Sequence, residues 1–280
     1  MKHESKNAKI LHEQRKFSYD SIAEYHKKYI DPQTGYWNTK YTTSRSCPVC
    51  DNDDSRLIFS KSGGNYYKCN QCNMVFTNPV FTDEALYEYY TNLETGQGEI
   101  VENESLFYRE IYSKGLRSIE KIKKDGRILD IGCSTGFFLD IAKESGWKTY
   151  GVELGLEEAK VATSKGHNIH TCTIEQANFS HKFDIITLWD VFEHIPEPYS
   201  YFKQLSKILK SDGLIFMQIP NAGALAPKIL QNKCKMFDGV EHCNLYSDKT
   251  IKLVINNSGF SLQAMESVIS EIAVINNYLD

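Results

Sequence analysis

From residue 126 onward, short apolar runs alternate with stripes of helical period. Ile128, Leu129 and Ile131 suit a buried strand. Phe138, Leu139, Ile141 and Ala142 suit the inner face of a helix over 137–145, which Gly146 closes. The pattern repeats as strand 148–152, helix 156–165 closed by Gly166, strand 168–172 and strand 183–189, whose apolar run predicts burial on both faces. Phe202, Leu205, Ile208 and Leu209 mark a further helix ended by Ser211-Asp-Gly213, ahead of a strand at 214–219. Asn221 to Tyr246 reads as irregular or partly helical. Ser247 then caps a helix carrying Ile251, Val254 and Ile255 and ending at Ser258-Gly259, and 260–280 leaves room for one or two last strands. Such alternation predicts an α/β fold on a parallel sheet.

The first 125 residues read differently. Phe17, Ile22, Tyr25 and Tyr29 recur at roughly helical spacing in an arm over 1–45, where nine Lys/Arg stand against five Asp/Glu. A surface helix, a substrate lid or a docking arm would each fit, and Asp31-Pro-Gln-Thr-Gly35 forms a turn. Cys47-Pro-Val-Cys50 and Cys69-Asn-Gln-Cys72 bracket eighteen residues with strand-like Leu57–Phe59 and Tyr66–Tyr67 around a turn at Ser62–Asn65. Two C-x-x-C pairs can close a tetrahedral four-thiolate site, so 46–80 is expected to be a zinc ribbon with a structural Zn2+ on Cys47, Cys50, Cys69 and Cys72. Residues 81–125 form a helical linker: a short helix starting at Thr82-Asp-Glu, a polar loop over 91–103, and a helix over 104–124 with Phe107, Ile111, Leu116, Ile119 and Ile122 on one stripe. The last segment, 126–280, is then the sheet-bearing domain.

Composition narrows the partners. At 280 residues, 41% apolar and 24% charged, the chain is ordinary for a globular protein. A net charge of −4 gives no global attraction to nucleic acid or an anionic membrane. The polar amino terminus has no signal-peptide core, and no apolar run approaches a membrane span. Eight cysteines without a disulfide pattern favour a reducing, cytoplasmic setting.

The chemistry concentrates at Asp130-Ile-Gly132-Cys-Ser-Thr-Gly136, a tight turn between strand and helix. Small residues allow close backbone approach to a ligand, and a helix amino end presents free N–H groups. The next strand, Thr149-Tyr-Gly-Val-Glu153, ends on an acid suited to two ribose hydroxyls. The spacing is not the G-x-G-x-x-G of dinucleotide sites. It resembles the first two motifs of class I S-adenosylmethionine (SAM)-dependent methyltransferases, with Ser134 at the usual middle glycine. The resemblance implies a Rossmann-like seven-stranded methyltransferase sheet finishing on an antiparallel strand, with SAM as cofactor. Asp130, Gly132, Cys133, Ser134 and Gly136 would line its methionine end, Glu153 and Leu154 its ribose, and Thr173, Ile174 and Glu175 its adenine edge. Asp190 would face the cofactor's amino group.

Trp189-Asp190-Val-Phe-Glu193-His194-Ile-Pro196 resembles the family's segment after the fourth strand, and Glu241-His242-Cys-Asn244-Leu-Tyr-Ser247 lies where the family places substrate contacts. His194 and His242 are therefore the candidate general bases, since an alcohol acceptor benefits from a base titrating near neutrality. Their structural alternatives are anchoring of the loop before Pro196 and a hydrogen bond to Asn244 or Ser247. Asn221, after Ile219-Pro220, also falls at a strand end. Ribbon, linker and core in this order resemble bacterial enzymes that modify nucleotide-linked or polymer-bound sugars, some of them C-methyltransferases with a further carboxyl-terminal domain. The expected activity is O-methylation of a sugar. An RNA methyltransferase gripping nucleic acid through its ribbon, and a SAM-binding scaffold that does not catalyse, are the alternatives.

Overall fold

The computed structural model describes residues 22–92 and 105–267. Residues 93–103 of the expected polar loop and the start of the arm lie outside those residues, while Thr91 and Asn92 end a helix. The described residues divide into two compact units that do not follow linear order: 22–29, 83–92, 105–189 and Gln204–Gln218 in one, and Ile30–Thr82, Asp190–Lys203 and 219–267 in the other.

The second unit is built on the cysteine segment. Strands β1 (Thr42–Thr43), β2 (Ser55–Lys61), β3 (Gly64–Cys69), β4 (Val75–Thr77) and β5 (Val80–Phe81) precede the linker. β2 and β3 form a hairpin whose closing pair, Lys61 and Gly64, flanks Ser62 and Gly63, both at positive φ. That is the backbone a two-residue hairpin turn needs to match strand twist. β4 joins β3 antiparallel.

The first unit holds α1 (Asp83–Asn92), α2 (Ser105–Glu120), β6 (Arg127–Ile131), α3 (Phe137–Glu144), β7 (Lys148–Val152), α4 (Leu156–Ser164), β8 (Asn168–His170) and β9 (Phe183–Trp189). α5 (Pro198–Ile208) leads directly into β10 (Leu209–Gln218). The sheet order is β10-β9-β6-β7-β8, all parallel. β9 is buried at every position, as its apolar run requires. Leu116 and Ile119 of α2 pack with Ile128, Phe138, Ile141, Ile185 and Trp189. Gly115 sits mid-helix because a Cβ there would come 2.4 Å from the Trp189 ring. Opposite the glycine turn's end of the strands, Lys210 and Lys123 reach the Asp184 carboxylate at 2.8 and 3.1 Å, and the Arg127 N–H donates to it at 2.9 Å. Burial would raise Asp184, yet these donors outweigh it and hold it at about 2.

The sheet has five strands among the described residues; of the segment expected to carry its last one or two, 260–267 form no strand and 268–280 lie outside them. Two expectations need correction. The helix ends at Ile208, and Ser211–Gly213 belongs to β10, where a register irregularity between Leu209 and Leu214 absorbs the polar residues. The third strand stops at His170.

The segment after β10 contains α6 (Leu225–Leu230), β11 (Asn244–Leu245) and α7 (Asp248–Asn257). Residues 190–203 and 219–267, expected within the sheet-bearing domain, pack in the ribbon's unit. β11 pairs antiparallel with β4, Asn244 opposite Phe76, and so extends the ribbon sheet to four strands. Leu245, Phe237 and Cys234 share a buried cluster with Tyr66.

Candidate active site

β6 is central, and chain order reverses between β6 and β9, so the turn after β6 lies at the switch point of the sheet, where open α/β folds take ligands. Gly132, Ser134 and Gly136 all adopt positive φ, at 69°, 48° and 80°. The Gly132 N–H donates to the Val152 carbonyl at 2.8 Å, fastening the turn to β7. Glu153, half-buried, accepts from the Ser134 N–H at 2.7 Å with one oxygen and from the Gly155 N–H at 2.8 Å with the other. A carboxylate offers about four acceptor positions, so two remain for hydroxyl donors. Burial raises Glu153 above the usual carboxylate range, and the backbone donors oppose the shift.

Asp130 is 3% exposed and accepts from Thr187 Oγ1 at 2.6 Å. Burial pushes it up to about 8, with Glu153 adding to the rise and the Thr187 hydrogen bond opposing it. Thr135 Oγ1, at the same turn, is buried without a hydrogen-bond partner among the described residues. The buried Cys133 side chain packs so closely on Gly151 that a Cβ there would come 2.5 Å from its sulfur. Only the backbone of Cys133 is left to meet a ligand. Leu154 is half-buried, Ile174 buried and Glu175 exposed. Thr173 opens a turn, its carbonyl accepting from Gln176 and Ala177 N–H groups at 3.1 and 3.0 Å. Asp190 follows the last residue of β9 and has φ 52°.

The second unit holds the remaining candidates. Cys47 Sγ lies 3.5 Å from Cys72 Sγ, Cys50 Sγ lies 3.5 Å from Cys69 Sγ, and all four sulfurs fall within 4.8 Å of one another. A tetrahedral zinc with bonds of about 2.3 Å spaces sulfurs about 3.8 Å apart, so the donor set fits. Each knuckle has the same backbone: Asp51 and Asn73, directly after the second cysteine, have φ 55° and 65° and donate to the carbonyls of Cys47 and Cys69. Asp and Asn tolerate that conformation.

His194 and His242 meet edge to face, their ring centroids 4.9 Å apart. Each Nε2 lies 3.9 Å from Oε1 of Glu193, which is 1% exposed. His242 Nδ1 bonds to the Met236 carbonyl at 2.8 Å, not to Asn244 or Ser247 as its structural alternative would have it. Ser247 instead caps α7 in a reciprocal pair with Thr250. Burial pushes Glu193 up to about 8, with Asp190 adding to it. Burial lowers His194, and His242 lowers it further. For His242 burial acts downward too, but Asp238 and Glu193 overcome it and carry it to about 9.

Residues the sequence reading passed over hold these three in place. The Arg45 guanidinium donates to the carbonyls of Thr77, Pro196 and Cys243 at 3.1, 2.8 and 2.9 Å, and to Asn244 Oδ1 at 3.0 Å. Asn244 Nδ2 donates to the Ile195 carbonyl at 2.6 Å. Asp238 accepts from the N–H groups of Val240, Glu241 and His242, and Gly239 donates to the Tyr66 hydroxyl of β3. The Asp238-Gly239 turn signal was available in the sequence; nothing local marks Arg45.

Strand order, switch-point turn and acidic strand end together define the α/β methyltransferase fold around a central parallel sheet. The chain belongs to the methyltransferase-domain family, whose sequence profile matches residues 104–264, and is by that membership a class I SAM-dependent methyltransferase. It is similar to the ubiquinone biosynthesis O-methyltransferases of Haemophilus ducreyi (28% identical over 107 residues, 34% of this chain and 45% of that one) and Glaesserella parasuis (31% over 112 residues, 36% and 48%). The chain thus spans about half the length of the curated relatives it matches. Among solved structures, the plantazolicin methyltransferase BpumL bound to SAH aligns with a TM-score of 0.50 at 17% identity, covering 62% of this chain and 74% of that one. A possible histamine N-methyltransferase from Thermotoga maritima aligns at 0.50 and 19%, covering 67% and 89%. At such identity these two attest the fold. No helix among the described residues is long and apolar enough to cross a membrane.

Proposed function

We propose that this chain transfers a methyl group from SAM to a hydroxyl of a sugar, nucleotide-activated or part of a surface-polysaccharide precursor, in the cytoplasm. When bound, SAM supplies an electrophilic methyl on a positively charged sulfur. The protein's task is then to place the reactants, which can contribute roughly 7–11 kcal/mol to lowering the barrier. Asp130 and the backbone of Gly132, Cys133, Ser134 and Gly136 hold the methionine end, and the unused acceptor positions of Glu153 hold the ribose. Leu154 lines the ribose beside Glu153; Thr173 and Ile174 flank the base, and Asp190 takes the amino group. The Glu193–His194–His242 cluster draws the proton from the acceptor hydroxyl. Cys47, Cys50, Cys69 and Cys72 hold a structural zinc ion.

The observation that carries this reading is the tie between Ser134 N–H and Glu153, which sets turn and acid as one cradle at the switch point. O-methylation draws support from the names of the sequence relatives, and the sugar from the order of ribbon, linker and core. Calorimetry with S-adenosylhomocysteine (SAH) tests the cradle: binding that Glu153→Ala leaves unchanged would defeat it. Methyl transfer to a panel of nucleotide sugars, with bulk tRNA as the comparison, tests the acceptor.

A further inference from the structure

Glu193 presents an unusual situation. Among the described residues neither carboxylate oxygen has a hydrogen-bond partner, although the side chain is 1% exposed. An unpaired buried carboxylate is costly, and a distance of 3.9 Å to each imidazole Nε2 is not a hydrogen bond. Three donor atoms, one each from Glu193, His194 and His242, lie within 4.8 Å of one another. The far side of the His242 ring is also prepared. His242 Nδ1 is engaged by the Met236 carbonyl, so the proton a metal would displace from the ring is the one at Nε2, which faces Glu193. His194 Nδ1 faces Glu241 Oε2 at 4.0 Å. A carbonyl or carboxylate behind the second ring nitrogen is how metal-binding histidines are oriented.

We infer that Glu193, His194 and His242 form a site for a divalent transition-metal ion. Two imidazoles and one carboxylate suit zinc, iron(II), cobalt(II) or manganese(II) better than magnesium or calcium, which favour all-oxygen shells. With bonds of about 2.1 Å a tetrahedral ion would space its ligands about 3.4 Å apart, so the two imidazole–carboxylate separations of 3.9 Å need to close by about 0.5 Å. Three protein ligands leave coordination open for an acceptor oxygen. This deepens the proposed O-methylation, on which its catalytic meaning rests: with the cluster ligating, the metal takes over from the imidazoles as the activator of the hydroxyl by lowering its pKa, the O–H bond breaks with its proton passing to solvent, and the oxygen forms the O–CH3 bond as the S–CH3 bond breaks and the sulfonium becomes a neutral thioether.

Cobalt(II) titration of the full chain, with its ribbon metal quantified beforehand, provides the test. The wild type should take up one equivalent beyond the ribbon's, with visible d–d bands and no intense sulfur-to-cobalt charge transfer. Glu193→Gln and His242→Ala should each lose that equivalent while the ribbon's metal stays; His194→Asn serves where either fails to fold. A wild type that binds no second equivalent, or variants that bind it undiminished, would overturn the site. SAH calorimetry on the same samples keeps the outcomes apart. Intact SAH binding without the second cobalt sinks the metal site alone, and cobalt uptake without SAH binding sinks the cofactor cradle alone.

Discussion

The glycine turn and the histidine cluster are assembled in opposite ways. Asp130 to Glu153 is one β-α-β passage of twenty-four residues, and each hydrogen bond that shapes it joins neighbours in that passage or the adjoining strand. Glu193, His194 and His242 come from two segments, and their scaffold adds Arg45, Tyr66 and the edge of β4. A site written in one stretch of chain can be inherited whole. A site gathered from distant segments depends on whatever holds those segments together.

The largest expected effect probes that dependence. Cys69→Ser should abolish ribbon metal binding, and the ion's contribution to folding such a module can reach about 10 kcal/mol. Residues 234–245 should then lose protection in hydrogen exchange, while SAH affinity stays within about threefold because the turn is closed by its own neighbours. Equal loss of both would show that the two regions are not separable. Next, Glu153→Ala removes two charge-assisted hydrogen bonds from the turn as well as the ribose's acceptor. SAH affinity should fall about 10- to 100-fold by calorimetry, with the cluster's cobalt uptake unchanged.

Arg45→Met is smaller and more selective. It strips donors from the carbonyls of Thr77, Pro196 and Cys243, so about 2–3 kcal/mol should disappear from denaturant unfolding and methyl transfer should drop, with SAH binding retained. The subtlest comparison is Asp130→Asn. Its carboxyl keeps a proton up to about 8 when folded, whereas an unfolded one loses it near about 4. The folded state therefore binds the extra proton between those values, and this group's contribution to stability falls as pH rises across them. The Asn variant should flatten that fall in melting temperature between pH 5 and roughly 8, differing little from wild type at the lower end of the range and most at the upper end.

What the sequence made legible follows the same division. Ile128, Leu129 and Ile131 announce β6 by hydrophobicity, and Asp130, Gly132, Gly136 and Glu153 stand at fixed offsets from it, so periodicity and spacing suffice. The cysteine pairs are equally explicit. β11 is two residues long and forms because β4 offers an open edge, which no local pattern encodes. Arg45 reads as one more surface cation in a basic arm until its four acceptors converge. β10 starts at Leu209 because pairing with β9 overrides the turn signal of Ser211-Asp-Gly213.

The antiparallel join between β11 and β4 has a practical corollary for anyone dissecting this protein. Excising the first eighty residues to isolate the methyl-transferring half would delete the edge on which Asn244 and Leu245 are knitted, together with Arg45 and Tyr66. The trimmed chain should keep its grip on the coenzyme and lose its turnover, a binder made by subtraction.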